Sequence, residues 1–351
     1  MNNTEEIDLA DMTPKERVLA ALRLEELDRP PVAVFTQSAT IGQMEALDVY
    51  WPDAHMDPKL MAKLGAGQAD LLGFEAVRAP FCLTAEVEAL GATVDPGKKD
   101  RTPMLKEHPF KMNPMMDEFD EPDLLAPEEF LNTGRPAAVL EAIGMLSEQY
   151  GDDYPVIAGN TGPFTVAGHL VETENLVFGI IMSPDEVHKW VDASNEICKA
   201  YSQALSDAGA DVIQMSEPSA STDLLSPDMF DDYVGMYIKD SLAGVKDAFS
   251  CLHICGDTYP LIDNMIETGV TTLSIEEKVD PAQGVEKIAG RASVVGNVGV
   301  VNPLLQGSPE DVMKHGRTVA EAGFNVVSPG CGLSALISNE NLAALVKSVK
   351  G

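Results

Sequence analysis

The chain has 351 residues, 45% of them apolar and 23% charged, a composition that supplies ample core for a globular domain and excludes global disorder. With 24 Lys and Arg against 56 Asp and Glu, the formal net charge is −32, which repels phosphate backbones and anionic lipid and argues against nucleic-acid or membrane binding. The acidity reads as a solvated surface, or as the mark of a host with high internal salt, where screening weakens self-repulsion.

Residues 1–12 read as an acidic leader with neither a basic n-region nor an apolar h-region, so no secretory signal is expected there. Thr13-Pro14-Lys15-Glu16 has the form of a capping box with proline at the first helical position, opening a helix over RVLAALRLEEL. Asp28-Arg29-Pro30-Pro31 ends that helix and launches a strand over 32–35. Further short β-branched runs predict strands near 75–78, 155–159, 211–215, 250–254, 271–275, 293–297 and 325–328, with helical stretches between most of them.

Eight βα units predict a single (β/α)8 TIM barrel over residues 13–351, preceded by the N-terminal helix. Residues 80–135, rich in Pro and Met, do not fit a simple βα unit and read as an insertion or lid near the barrel mouth. The apolar stretch around Leu176 to Met182 is far shorter than the roughly 20 residues that span a bilayer, so a cytoplasmic protein is expected. Five cysteines, Cys82, Cys198, Cys251, Cys255 and Cys331, favour free thiols and metal ligands over a disulfide framework.

The chemistry concentrates in SCLHIC followed by Gly256-Asp257. Side chains alternate along a strand, so His253 and Cys255 project to one side, and at the C-terminal end of a barrel strand that side is the catalytic rim. Cys331, in Ser328-Pro329-Gly330-Cys331-Gly332, follows the eighth expected strand, and its flanking glycines let the backbone turn sharply. Three ligands of the His/Cys/Cys type leave one tetrahedral position open, the pattern of a catalytic zinc that receives a substrate thiol. On spacing alone the alternative stands beside it: His253 and Cys255 fill a barrel layer and Cys331 is a small buried hydrophobe. Glu276, ending the next strand, is a candidate fourth ligand or proton acceptor, or else a solvated rim carboxylate. Cys82, Cys198 and Cys251 read as packing residues.

ERVLAALRLEELDRPPV, Asn160-Thr161-Gly162-Pro163-Phe164, GADVIQMSEPSASTDLLSP, HICGDTYP and SPGCGLS together resemble the uroporphyrinogen decarboxylase superfamily, and within it the methylcobamide:coenzyme M methyltransferases of methanogens. The resemblance implies a TIM barrel and a zinc ion on His253, Cys255 and Cys331, with Glu276 as fourth ligand before a thiol binds. It also implies coenzyme M as methyl acceptor and a methylated corrinoid on a partner corrinoid protein as donor. Asn160 is the expected cofactor contact and Arg78 the expected partner of the coenzyme M sulfonate, with a structural ion pair as the alternative for Arg78. Another acceptor such as tetrahydrofolate, and a scaffold that only docks the corrinoid protein, are the competing readings. Decarboxylation fits less well, because VAVFTQSATIGQM after the first strand has no arginine to meet a polycarboxylate.

Overall fold

The computed structural model describes residues 11–37 and 39–351, so the expected acidic leader lies outside the described residues apart from Asp11 and Met12. The N-terminal helix, Pro14–Leu22, starts at the capping box: Thr13 accepts from the Glu16 N–H, and the Glu16 carboxylate accepts from the Thr13 N–H at 2.8 Å.

The strands are β1 (Val77–Ala79), β2 (Thr93–Asp95), β3 (Met104–Glu107), β4 (Met112–Asn113), β5 (Glu118–Phe119), β6 (Val156–Thr161), β7 (Val212–Ser216), β8 (Phe249–His253), β9 (Thr272–Ile275), β10 (Ser293–Val298) and β11 (Val326–Pro329). Seven of them form one parallel sheet in the order β1-β6-β7-β8-β9-β10-β11. Its two edges meet across the extended segment Pro31–Phe35. Val327 N–H donates to the Pro31 carbonyl at 2.9 Å and Ala33 N–H to the Val327 carbonyl at 3.1 Å. On the other side Glu75 N–H donates to the Val32 carbonyl at 2.8 Å. The first expected strand, 32–35, is therefore present as an extended closure with a single ladder bridge, Val32 to Val327. Pro30 and Pro31 lack the N–H groups that a longer ladder there would need.

Alternation along the strands sorts side chains into two cores. Outward residues such as Val77, Ala79, Ile213, Met215, Leu252, Leu273 and Val327 pack under a ring of helices that includes Pro58–Leu72, Gly134–Tyr150, Pro184–Asp207, Pro309–Ala322 and Asn339–Lys350. Inward residues Ala33, Phe35, Ala76, Ile157, Val212, Cys251, Val295 and Val326 form a separate apolar cluster with Val18, Ala21 and Leu22 of the N-terminal helix, which closes the lower end of the barrel. Above that cluster the interior turns polar: Arg78, Gln214, Ser216, His253, Ser274, Asn297 and Ser328 are all buried.

Between β1 and β6 the chain forms two antiparallel hairpins, β2–β3 and β4–β5, and the short helices Ala85–Ala89 and Pro127–Leu131. No helix among the described residues is long and apolar enough to cross a membrane.

Candidate metal centre

β8 carries Cys251 and His253 into the barrel interior, and Cys255 follows two residues past His253, above the end of the strand. The chain turns away at once. Gly256 has φ +91°, a conformation that strains any residue with a Cβ, and its N–H donates to Glu276 Oε2 at 2.6 Å. His253 Nδ1 lies 3.1 Å from Ser274 Oγ on the neighbouring β9, which leaves Nε2 aimed at Cys255 Sγ, 3.4 Å away. Cys255 Sγ is in turn 3.4 Å from Cys331 Sγ, and the three ligand atoms lie within 4.8 Å of one another.

Cys331 is delivered by the loop after β11. The Thr36 hydroxyl donates to its carbonyl at 2.8 Å, and Leu333 N–H donates to the Gln37 carbonyl at 2.8 Å. The glycines around it serve closeness of approach, since neither Gly330 nor Gly332 has a positive φ. A Cβ on Gly330 would stand 2.6 Å from Glu277 Oε2, and one on Gly332 would stand 3.0 Å from Gln37 Oε1. The chain bends at Gly330 and Cys331 as expected, without the left-handed backbone that Gly256 adopts.

The two thiols are hydrogen-bonded to each other, and either sulfur can be the donor. The hydrogen bond between them, with further hydrogen bonding from His253, pulls the Cys331 thiol well down, while the same bond and burial push Cys255 up. Two cysteine sulfurs beside an imidazole nitrogen are the donor set that a soft or borderline dication takes. Tetrahedral zinc with bonds of about 2.0–2.3 Å spaces its ligands about 3.5–3.8 Å apart, so the present separations fit that ion with little movement. Ser274 also supplies the usual outer support of a metal-binding imidazole, since a partner at Nδ1 fixes which nitrogen faces the metal.

The other expected residues are placed as follows. Glu276 is half-buried and stands next to Cys255, but it is outside the tight three-residue set and its carboxylate accepts from Gly256. Its neighbour Glu277, which no sequence signal singles out, lies against Gly330, its carboxyl pushed up by burial and by the nearby Glu276 and Cys331. Arg78 is not brought to the three ligands. It is 1% exposed inside the barrel, where Nε donates to the Phe35 carbonyl at 2.9 Å, Nη1 to the Pro80 carbonyl and Nη2 to Gln214 Oε1 at 2.9 Å. Burial pulls its guanidinium down to about 9, still cationic at neutral pH.

Asn160 falls on the opposite parity of β6 and points into the helix layer, where its Nδ2 donates to Ser202 Oγ at 2.8 Å. Strand alternation is the reason: the family-like stretch begins one residue out of phase with the interior.

Glu217, just past β7, is a further buried group without a signal in the sequence. Its carboxylate accepts from the N–H groups of Phe164 and Thr165 at 3.1 and 2.6 Å, capping the helix Pro163–Val171. Burial pushes that carboxyl up to about 7 against these bonds. Its own N–H donates to the His253 carbonyl at 2.9 Å, so it braces the end of β8.

Comparison with known proteins agrees with this architecture. The family model described as uroporphyrinogen decarboxylase (URO-D) matches residues 13–351. The methylcobamide:CoM methyltransferase MtaA of Methanosarcina barkeri is 37% identical over 339 residues, covering 96% of this chain and 98% of the relative. MtbA of Methanosarcina acetivorans, another methylcobamide:CoM methyltransferase, is 35% identical over 345 residues, covering 97% and 99%. A solved structure titled methyltransferase from Methanosarcina mazei superposes with a TM-score of 0.90 at 36% identity, over 96% of this chain and 98% of that one. The chain belongs to the uroporphyrinogen decarboxylase family, within its branch of methylcobamide:CoM methyltransferases.

Proposed function

We propose that this protein transfers a methyl group from a methylated corrinoid, carried on a partner corrinoid protein, to the thiol of coenzyme M, with a zinc ion held by His253, Cys255 and Cys331. The observation that carries this reading is the convergence of the three ligand atoms, 3.4 Å apart along the chain of contacts, at the C-terminal end of the barrel. The relatives' activity supports the substrates.

When bound, zinc would take the substrate thiol in its fourth position and hold it deprotonated near neutral pH. The protein does the rest. Ser274 orients His253, the Gly256 turn releases Cys255 from the strand, and the Cys331 loop closes the triangle. Two cysteine thiolates and a neutral imidazole balance a dication, so an entering thiol leaves its proton to solvent or to Glu276 at the rim. The C–Co bond breaks with both electrons left on cobalt as Co(I), and the S–CH3 bond forms.

The donor must approach from the mouth, and the loops there suit a partner. Leu224, Tyr259, Val301 and Leu336, which follow β7, β8, β10 and β11, are large apolar or aromatic side chains exposed by 45%, 39%, 55% and 63%. Large exposed apolar patches mark interaction sites, and we read these four side chains as the surface that meets the carrier.

The test is metal analysis together with methyl transfer from free methylcobalamin. The expected result is about one zinc per chain and consumption of methylcobalamin that depends on coenzyme M. Protein purified without zinc, and inactive after zinc is added, would sink the reading; zinc-loaded protein that serves only tetrahydrofolate would change the acceptor.

A further inference from the structure

The apolar stretch from Leu176 to Met182, too short to span a bilayer, is left unexplained by the metal centre. It lies in the helix Thr173–Met182, whose sequence TENLVFGIIM is apolar on every side after its first turn. One face, with Leu176, Gly179 and Ile180, is buried against the fold. The opposite face carries Phe178, Ile181 and Met182, spaced i, i+3, i+4 and all exposed, Ile181 by 72%. A helix that is apolar all round belongs between two layers, and among the described residues only one layer covers this one.

A second element extends the bare face. The β4–β5 hairpin packs on the helix at Gly179, where a Cβ would stand 2.6 Å from Met112 Cε and 3.7 Å from Pro114 Cγ. Met115 and Met116 follow Pro114 at the hairpin turn, and both are exposed, Met115 by 77%. Helix and hairpin thus present five large apolar side chains together. Three of them are methionines, unbranched and polarisable, which suit a surface that must fit another protein.

The place of this patch in the barrel narrows its occupant. The hairpin belongs to the connection after β1 and the helix to the connection after β6, and β1 and β6 are neighbours in the sheet. Such connections emerge at the C-terminal end of a parallel barrel, the end that holds His253, Cys255 and Cys331. The patch therefore continues the exposed apolar groups that follow β7, β8, β10 and β11 around the same end. A specific protein contact takes roughly 20–30 residues a side, so four side chains on the mouth loops are only part of a carrier's footprint.

Charge argues against the other occupants. Asp117, Glu118, Glu172, Glu174 and Asp185, all exposed, border the five apolar residues in sequence, with Lys111 as the nearest exposed cation. Two copies of this chain would bring acidic border against acidic border, and an anionic membrane would be repelled in the same way. The border suits a partner whose own apolar surface is ringed by Lys and Arg.

We propose that Phe178, Ile181 and Met182, with Met115 and Met116 of the hairpin, dock the polypeptide of the corrinoid carrier through an apolar surface edged with basic residues, on the β1–β6 side of the mouth. This inference rests on the proposed methyl transfer, and adds to it a contact by which the protein-bound corrinoid is preferred to the free one.

The experiment compares two donors with the zinc-loaded full-length protein and coenzyme M as acceptor. One donor is the methylated corrinoid protein from the same organism, and the other is free methylcobalamin, which has no polypeptide to dock. Ile181→Asp combined with Met115→Asp alters two side chains that stand mostly in solvent, a kind of change that leaves stability nearly unmoved. This double variant should lower kcat/KM for the carrier, relative to that for free methylcobalamin, by about tenfold or more, through KM. Glu174→Lys combined with Asp185→Lys, which reverses part of the border, should lower the same ratio by a smaller factor. Raising the ionic strength should lower it in the unmodified protein.

A donor ratio unchanged in the Ile181→Asp, Met115→Asp variant would overturn the proposal, as would equal losses for both donors. So would an unmodified protein that sediments as a dimer and a double variant that sediments as a monomer with its donor ratio intact, since the patch would then belong to a second copy. Should the unmodified protein methylate coenzyme M from neither donor, the proposed function fails, and titrating the carrier into both proteins by calorimetry still decides the docking surface. Binding to the unmodified protein that weakens about tenfold in the double variant upholds it, and equal binding or none overturns it.

Discussion

The lower and upper halves of the barrel interior are built from the same strands on the same alternation, yet they hold opposite chemistry. Below, Ile157, Val212, Cys251, Val295 and Val326 meet Phe35 and the N-terminal helix in a dry cluster. Above, the next inward positions on those strands are Gly159, Gln214, His253, Asn297 and Ser328. The change of character occurs within one repeat of the pleat on each strand. The comparison separates two obligations: the lower half holds the barrel closed, and the upper half uses that rigidity to hold polar groups in place.

If that division is right, substitutions in the two halves should fail differently. Cys331→Ala and Cys255→Ala should show the largest functional effect, losing most of the bound zinc and most of the turnover while circular dichroism stays that of a folded barrel, because two-ligand sites bind zinc poorly. Zinc content near that of the unmodified protein in either variant would remove that cysteine from the ligand set.

Phe35→Ala tests the lower half. It should cost about 3–5 kcal/mol in denaturant unfolding while zinc stoichiometry is kept below the midpoint. Zinc lost in proportion to stability would mean that the halves are not separable.

Smaller changes sharpen the boundary. Ser274→Ala removes the Nδ1 partner of His253 and should weaken zinc by about 10–100-fold in competition with a chelator, with little change in unfolding. Asn160→Ala should cost about 1 kcal/mol of stability through the lost bond to Ser202, and an effect on KM beyond that would return Asn160 to the site. Glu276→Gln should be mildest, retaining zinc through the other three ligands and weakening only the bond from Gly256. Zinc loss there comparable to that of Cys255→Ala would make Glu276 a full ligand.

What the sequence reveals and what it conceals follow from the range of the interactions involved. Strand positions are legible because β-branched runs bounded by Gly, Pro and Asp report local structure, and the seven strands of the sheet fall within a few residues of their expected places. The pairing of His253 with Cys255 is legible because alternation is a local rule. The position of Cys331 beside them is legible only through the recurring family pattern, since 76 residues of chain separate it from Cys255.

The line from Arg78 to Gln37 is hidden for a different reason. Running through hydrogen bonds of Gln214 and Ser216, it joins residues on three separate elements, and nothing in VAVFTQ or DVIQMS tells which distant side chain either glutamine will meet. Asn160 shows the converse. A conspicuous local pattern surrounds a side chain that the strand turns outward, towards Ser202.

The helix Pro14–Leu22 has a further consequence for traffic. By pressing Val18, Ala21 and Leu22 into the lower end of the barrel it plugs that end among the described residues, with these three side chains 0–3% exposed. On the proposed methyl transfer, acceptor and product must then use the same doorway that the corrinoid carrier covers. On the proposed reading the thiol enters before the carrier settles, and the methylated product waits for the carrier to leave. Steady-state kinetics should accordingly be ordered and sequential, with excess carrier inhibiting by trapping the product beneath it.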